Sequence, residues 1–229
     1  MVTININNHK YKIPERLTVE QYHAALQFDW EDPKYYPMIV SQLTGAPIAL
    51  LTKANEEAMT LAIAMIVKSM NDRQECKTLD LESLTFGEFV DLDVYLALGL
   101  DKHFLDIVGL IAPDAKWADE AMWAIDKFAQ FRTYTYRQYK VLFGLTDKDL
   151  DEAEINGDTE VKDKLSIARS WYKVIVSLAH DNILHIDHVT EQPLKKVLNF
   201  MALQKEKVME ENEQKLKQRR QYDLQRTRR

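Results

Sequence analysis

Hydrophobic and polar residues alternate over the first thirteen positions: Val2, Ile4 and Ile6 share one face, Asn7-Asn8 supply turn formers, and Tyr11 and Ile13 resume the alternation up to Pro14. This pattern predicts a β-hairpin. From Leu17 the period becomes helical. In Leu17-Thr18-Val19-Glu20-Gln21-Tyr22, Thr18 stands as N-cap with Gln21 three positions later. That is a capping box, in which two orphan amides are satisfied reciprocally, and the helix it starts should run to about Phe28. Pro33 and Pro37 break the pattern before a short helix carrying Met38, Ile39, Val40 and Leu43 and closed by Gly45. Pro47 then opens a longer expected helix, along which Leu50, Leu51, Ala54, Ala58, Leu61, Ala62, Met65 and Ile66 recur toward one side as core. After the polar stretch Asn71 to Lys77, Leu84-Thr85-Phe86-Gly87-Glu88-Phe89 repeats the cap and box with Thr85 and Glu88. Leu145-Thr146-Asp147-Lys148-Asp149 is a weaker third instance. The three are unequally spaced, which excludes a solenoid of fixed period.

Further along, Pro113 opens an expected helix with Trp117, Ala121, Met122, Ile125, Phe128 and Ala129, and aromatic density continues through Phe131, Tyr134, Tyr136 and Tyr139 to Phe143-Gly144. An acidic stretch containing Asn156-Gly157-Asp158 has the chemistry of an exposed loop. Leu165, Ala168, Trp171, Tyr172, Ile175, Val176 and Ala179 mark another helix. Pro193 starts the last one, whose stripe of Leu194, Val197, Leu198, Met201 and Val208 fades after Met209 while helix-forming Glu, Lys, Gln and Arg continue. The expected fold is mainly α: an N-terminal β-hairpin followed by a multi-helix bundle and a long C-terminal helix. By linear order it divides into a hairpin plus helical body over 1–145, an acidic loop over 146–164, a helical part packed on the body over 165–209, and a projecting basic helical tail over 210–229.

Composition adds limits rather than an identity. The chain of 229 residues is 46% hydrophobic and 29% charged, with 6 Gly, 6 Pro and 1 Cys. This excludes a disordered or collagen-like chain, a disulfide framework and a Cys-rich zinc module. No cationic segment precedes an apolar run at the N-terminus, and Met59 to Val67 is about half of what a bilayer crossing needs. No membrane partner is therefore expected. The net charge of −6 is unevenly spread: Lys205 to Arg229 holds nine basic and five acidic residues, leaving −10 on residues 1–204.

Chemistry-bearing motifs are few. The sequence lacks Gly-x-Gly-x-x-Gly, Gly-x4-Gly-Lys-Ser/Thr and His-Glu-x-x-His. Cys76, in Arg73-Gln74-Glu75-Cys76-Lys77, has no assignable His partner and reads as an incidental thiol. On a continuous helix Asp181, His185 and His188 would share a face and offer two imidazoles and a carboxylate to a metal. His180, Asn182 and Asp187 nearby fit capping and solvation as well. Asp91/Asp93 and Asp147/Asp149/Asp151 lack the mid-loop Gly of a calcium site and read as solvated faces. Tyr134, Tyr136, Arg137, Tyr139 and Lys140 interleave aromatic and basic groups as single-strand binders do, but the same letters describe an aromatic core face, and a body charge of −10 repels phosphate. The expectation is a protein with no catalytic residue, no metal ligand and no cofactor.

Three segments occur in order: a hairpin ending Tyr11-Lys12-Ile13-Pro14, then Leu17-Thr18-x-Glu20-Gln21-Tyr22, then Leu84-Thr85-Phe86-Gly87-Glu88-Phe89-Val90-Asp91-Leu92-Asp93. Together they resemble small tail-assembly and baseplate proteins of tailed bacteriophages. Leu198-Asn199-Phe200-Met201-Ala202-Leu203-Gln204-Lys205-Glu206-Lys207, running into a Glu/Asn/Gln/Lys helix, is similar to the way many such proteins end. The resemblance implies a non-enzymatic structural or assembly protein of the tail, baseplate or neck, found in the virion or the host cytoplasm. Its partners would be other phage structural proteins, in a homo-oligomer or ring. Partner-binding residues are then expected on the tail: Lys205, Lys207, Lys215, Lys217, Arg219, Arg220, Arg226, Arg228 and Arg229. The alternatives are a tail assembly chaperone absent from the mature particle and a nucleic-acid-associated factor using the basic tail.

Overall fold

The computed structural model describes residues 2–6, 9–71, 73–146 and 164–227. The acidic loop, apart from its ends, the Asp147 to Asp151 carboxylates and Arg228 and Arg229 lie outside these residues, and the third cap motif is covered only to Thr146. The fold is mainly α behind an N-terminal hairpin. Strand β1 (Val2–Ile6) pairs antiparallel with β2 (His9–Ile13), in register from Val2↔Ile13 to Ile6↔His9. Helices follow as α1 (Val19–Ala25), α2 (Tyr36–Thr44), α3 (Ile48–Leu51), α4 (Glu56–Asn71), α5 (Phe86–Leu98), α6 (Leu100–Ile111), α7 (Ala118–Gln138), α8 (Lys140–Phe143), α9 (Lys164–Leu178), α10 (Ile186–Thr190) and α11 (Leu194–Thr227).

The chain forms two compact units that interleave along the sequence: residues 1–81 with 92–130, and residues 82–91 with 131–229. This cuts across the division by linear order, and hydrogen bonds at helix starts explain why. In the first unit Thr18 Oγ1 accepts from the Gln21 amide at 3.2 Å while Gln21 Oε1 accepts from the Thr18 amide at 3.0 Å. The next orphan amide, that of Val19, donates to the Lys116 carbonyl at 3.2 Å, and the first amide of α7, that of Ala118, donates to the Leu17 carbonyl at 2.8 Å. The starts of α1 and α7 are thus tied together by an antiparallel bridge between Thr18 and Trp117. Arg16 braces the junction: its guanidinium donates to Asp119 at 2.8 Å and Glu120 at 3.0 Å, and lies 4.8 Å from the centre of the Trp117 ring. Behind it sits a core of Ile13, Leu17, Ile39, Val40, Leu43, Leu51, Ile63 and Ile66.

The second unit repeats the device with different residues. Glu88 Oε2 accepts from the Thr85 amide at 2.8 Å and Thr85 Oγ1 accepts from the Glu88 amide at 3.2 Å. Phe86 N donates to the Gln192 carbonyl at 2.8 Å and Leu194 N to the Leu84 carbonyl at 3.0 Å, so α5 and α11 begin at a Thr85↔Pro193 bridge. That bridge draws 82–91 away from its sequence neighbours and into the second unit. Next to it Gly87 lies so close to α10 that a Cβ there would come within 2.9 Å of Thr190 Cβ. The core is aromatic: the Phe89 ring is edge-on to Phe131 and Trp171, Phe86 is edge-on to Trp171, and Phe143 meets both Trp171 and Tyr136.

Several expected elements are corrected. The long helix from Pro47 is two helices, because Asn55 Oδ1 accepts from the Glu57 amide at 3.0 Å and caps a fresh start at α4. Leu61, expected in its core stripe, is exposed. The helix expected from Pro113 starts only at Ala118, since residues 112–115 close a turn and the Ala118 amide is taken by Leu17. Helix α6 has no counterpart among the expected elements, although Phe104, Ile107, Val108 and Ile111 are buried along it at helical spacing. Asp93 is fully buried rather than solvated, while Asp91 is exposed.

If the caps hold the helix starts, Thr18→Ala and Thr85→Ala should each lose about 1 kcal/mol of stability in urea unfolding. Gly87→Ala should lose about 1–3 kcal/mol through overpacking against Thr190.

Candidate functional site

Helix α11 changes character along its length. Leu194, Val197 and Leu198 are buried, and Asn199 Oδ1 accepts a hydrogen bond from the Tyr139 hydroxyl at 2.7 Å. Burial pushes the Tyr139 phenol up, which keeps the proton on the donor. Lys205 is the last anchor: its Nζ donates to the half-buried Leu142 carbonyl near the end of α8 at 2.9 Å. From Glu206 to Gln221 every residue is exposed, yet the helix continues without interruption to Thr227.

Two expectations shift. Packing ends at Lys205 rather than Met209, so Val208 and Met209 stand about half exposed, at 54% and 48%. Lys205 itself belongs to the anchor, not to the free arm. Of the other expected partner-binding residues, Lys207, Lys215, Lys217, Arg219 and Arg220 are exposed on the arm, Arg226 belongs to the same helix, and Arg228 and Arg229 lie outside the described residues.

The arm is polarised. Glu206, Glu210, Glu211 and Glu213 occupy its first half, with Lys207 the only cation there, and Lys215, Lys217, Arg219 and Arg220 occupy the next turns. The ion pairs Glu211–Lys215 and Glu213–Lys217 run along the helix at 3.9 Å, with all four side chains about two-thirds exposed or more. Pairs of that kind contribute only about 0.3–0.5 kcal/mol each and leave the charges available to a partner.

A second feature was not legible in the sequence. Helix α9 ends at Leu178, and His180 and Asp181 both adopt left-handed backbone, with φ of 54° and 57°. Asn182 Oδ1 then accepts from the Leu184 amide at 3.1 Å and caps a single 3-10 turn before α10. The chain reverses here instead of continuing as a helix, so Asp181, His185 and His188 do not share a helical face, and no metal-holding group of three or more His, Cys, Asp or Glu occurs among the described residues. What the turn presents is Ile183 and Leu184, exposed by 76% and 83%. A non-Gly residue in this conformation costs about 1–2 kcal/mol, so the turn spends backbone energy to display two bare aliphatic side chains.

The Tyr134 to Lys140 segment divides between packing and exposure. Tyr139 is buried and Tyr136 packs on Phe89 and Phe143, whereas Tyr134 is 63% exposed and Arg137 is exposed. With two of its three tyrosines committed to packing, the segment offers no run of rings for stacking bases. Cys76 is buried, its Sγ 3.5 Å from Thr78 Oγ1. An apolar cleft of about 250 Å³ opens between Leu142, Phe143, Ile167, Trp171, Val174 and Met201.

If the left-handed turn is strained, His180→Gly should leave stability unchanged or raise it, whereas β-branched His180→Val should cost about 1–2 kcal/mol in thermal or urea unfolding. The chain matches no protein-family model, no curated protein and no solved structure, so its site stands on its own residues.

Proposed function

We propose that the protein is a non-enzymatic assembly component of a tailed-phage particle, working in the tail, baseplate or neck through protein–protein contacts. The observation that carries this reading is the arm: α11 is anchored by Leu194, Val197, Leu198 and Lys205 and then runs through sixteen consecutive exposed residues, 206 to 221, as continuous helix. A helix that is polar all round gains little from its own globule and is suited to bridging to a neighbour. The ordered resemblance in the hairpin, in the two cap motifs and in the start of the C-terminal helix supplies the phage setting. Other structural proteins of the particle are the partners this implies, and no catalytic group is required.

A tail assembly chaperone that leaves the mature particle is a second reading, favoured by the Ile183-Leu184 turn. Exposed aliphatics held on a strained turn suit a transient apolar client.

Removing residues 208–229 should change the melting temperature by no more than about 2 °C, because every described side chain in that stretch, 208 to 221, is exposed. The same truncation should abolish recovery of the protein with its particle partners. A large fall in melting temperature would sink the arm reading. Quantitative mass spectrometry of intact particles separates the two versions: a structural subunit is present at a fixed symmetric copy number, and a chaperone is absent.

A further inference from the structure

The charge order along the arm fits the arm itself, reversed. Val208 and Leu216 continue the side of α11 that carries Leu198 and Met201, and both are about half exposed. At 3.6 residues per turn Asn212 and Arg219 fall on that line, Glu211 flanks it on one side, and Glu213 and Arg220 flank it on the other. Turning a second arm end for end about position 215 lays the acidic half, with Glu210, Glu211 and Glu213, alongside the cationic half, with Lys217, Arg219 and Arg220, at matching heights, and the two-fold axis repeats the match. Lys215 meets its own copy at the axis, where Glu211 of the same helix already partners it at 3.9 Å. A parallel pairing would instead set glutamates against glutamates and cations against cations.

We infer that the arm of α11 pairs antiparallel with the arm of a second copy of this chain, acidic half along cationic half. This rests on the docking role proposed above and names its partner. The contact is isologous, which closes a dimer in one step. A continuous helix leads the cations away from the anchor at Lys205 by about 1.5 Å per residue. Charged and polar residues dominate the arm, so the attraction is chiefly ionic and falls with salt.

The test is sedimentation of the full chain over a concentration series. A reversible dimer is expected at low ionic strength, with the mass dropping twofold in about 0.5 M salt. The variant with Lys215→Glu, Lys217→Glu, Arg219→Glu and Arg220→Glu should be monomeric, as should the variant with Glu206→Lys, Glu210→Lys, Glu211→Lys and Glu213→Lys. An equimolar mixture of the two, and one chain carrying both sets, should each regain the dimer. All eight positions are exposed, and circular dichroism checks that the helix is kept. A wild-type chain that is monomeric throughout, or a dimer that survives removal of 208–229, overturns the inference. A monomer whose arm is still required for recovery with particle partners overturns self-pairing alone and leaves the docking role in place.

Discussion

Each compact unit depends on two helix starts held face to face by backbone. Thr18 with Trp117 does this in the first unit and Thr85 with Pro193 in the second. The arrangement solves one problem and creates another. It gives partners to the first amides of two helices at once, amides that would otherwise depend on water or side chains. It also brings together two N-termini, each carrying roughly half a positive charge. Carboxylates answer that charge. Glu20, Asp119 and Glu120 occupy the first turns of α1 and α7, and Glu88 that of α5. Helix α11 has no acid in its first turn and begins Leu194-Lys195-Lys196, so Glu82, which forms an ion pair with Lys195, supplies the missing charge from the neighbouring segment.

The local half of this design could be read in the residues. A cap, a box and a following apolar residue are contiguous in sequence, which is why Thr18 and Thr85 stand out. Nothing in Trp117 or Pro193 signals the pairing, because each bridge is made by main-chain groups of the flanking residues, Lys116 and Ala118 in one and Gln192 and Leu194 in the other, which carry no side-chain identity. The same limit explains the interleaved units: nothing in Glu82 to Asp91 announces that its partner lies over a hundred residues away. The break at Asn55 escapes the pattern for a different reason. Leu50, Leu51, Ala54 and Ala58 keep helical spacing across it, and periodicity alone does not see a cap that restarts the count. Left-handed backbone at two non-glycine residues is likewise invisible, so the helical spacing of Asp181, His185 and His188 describes a helix that the chain does not form there.

The arm was the most legible part of the candidate site, since composition and charge are additive and survive without tertiary knowledge. Its boundary was not. Met201 and Val208 obey one spacing, but only the first has a body to meet, and the true limit is set by where α8 ends and offers the Leu142 carbonyl to Lys205. Isolated helices of this size are marginal in water because the first turn is costly to form. Here that cost is met within the packed turns, and the exposed residues only extend a helix already begun.

The continuity of α11 has a mechanical meaning. Force applied near Gln221 has no loop in which to dissipate and travels along the hydrogen-bonded axis to the opposite end. There it meets the reciprocal amides of Phe86 and Leu194. The joint that organises the second unit therefore also takes that force, and tension on the tip is felt at the root of α5.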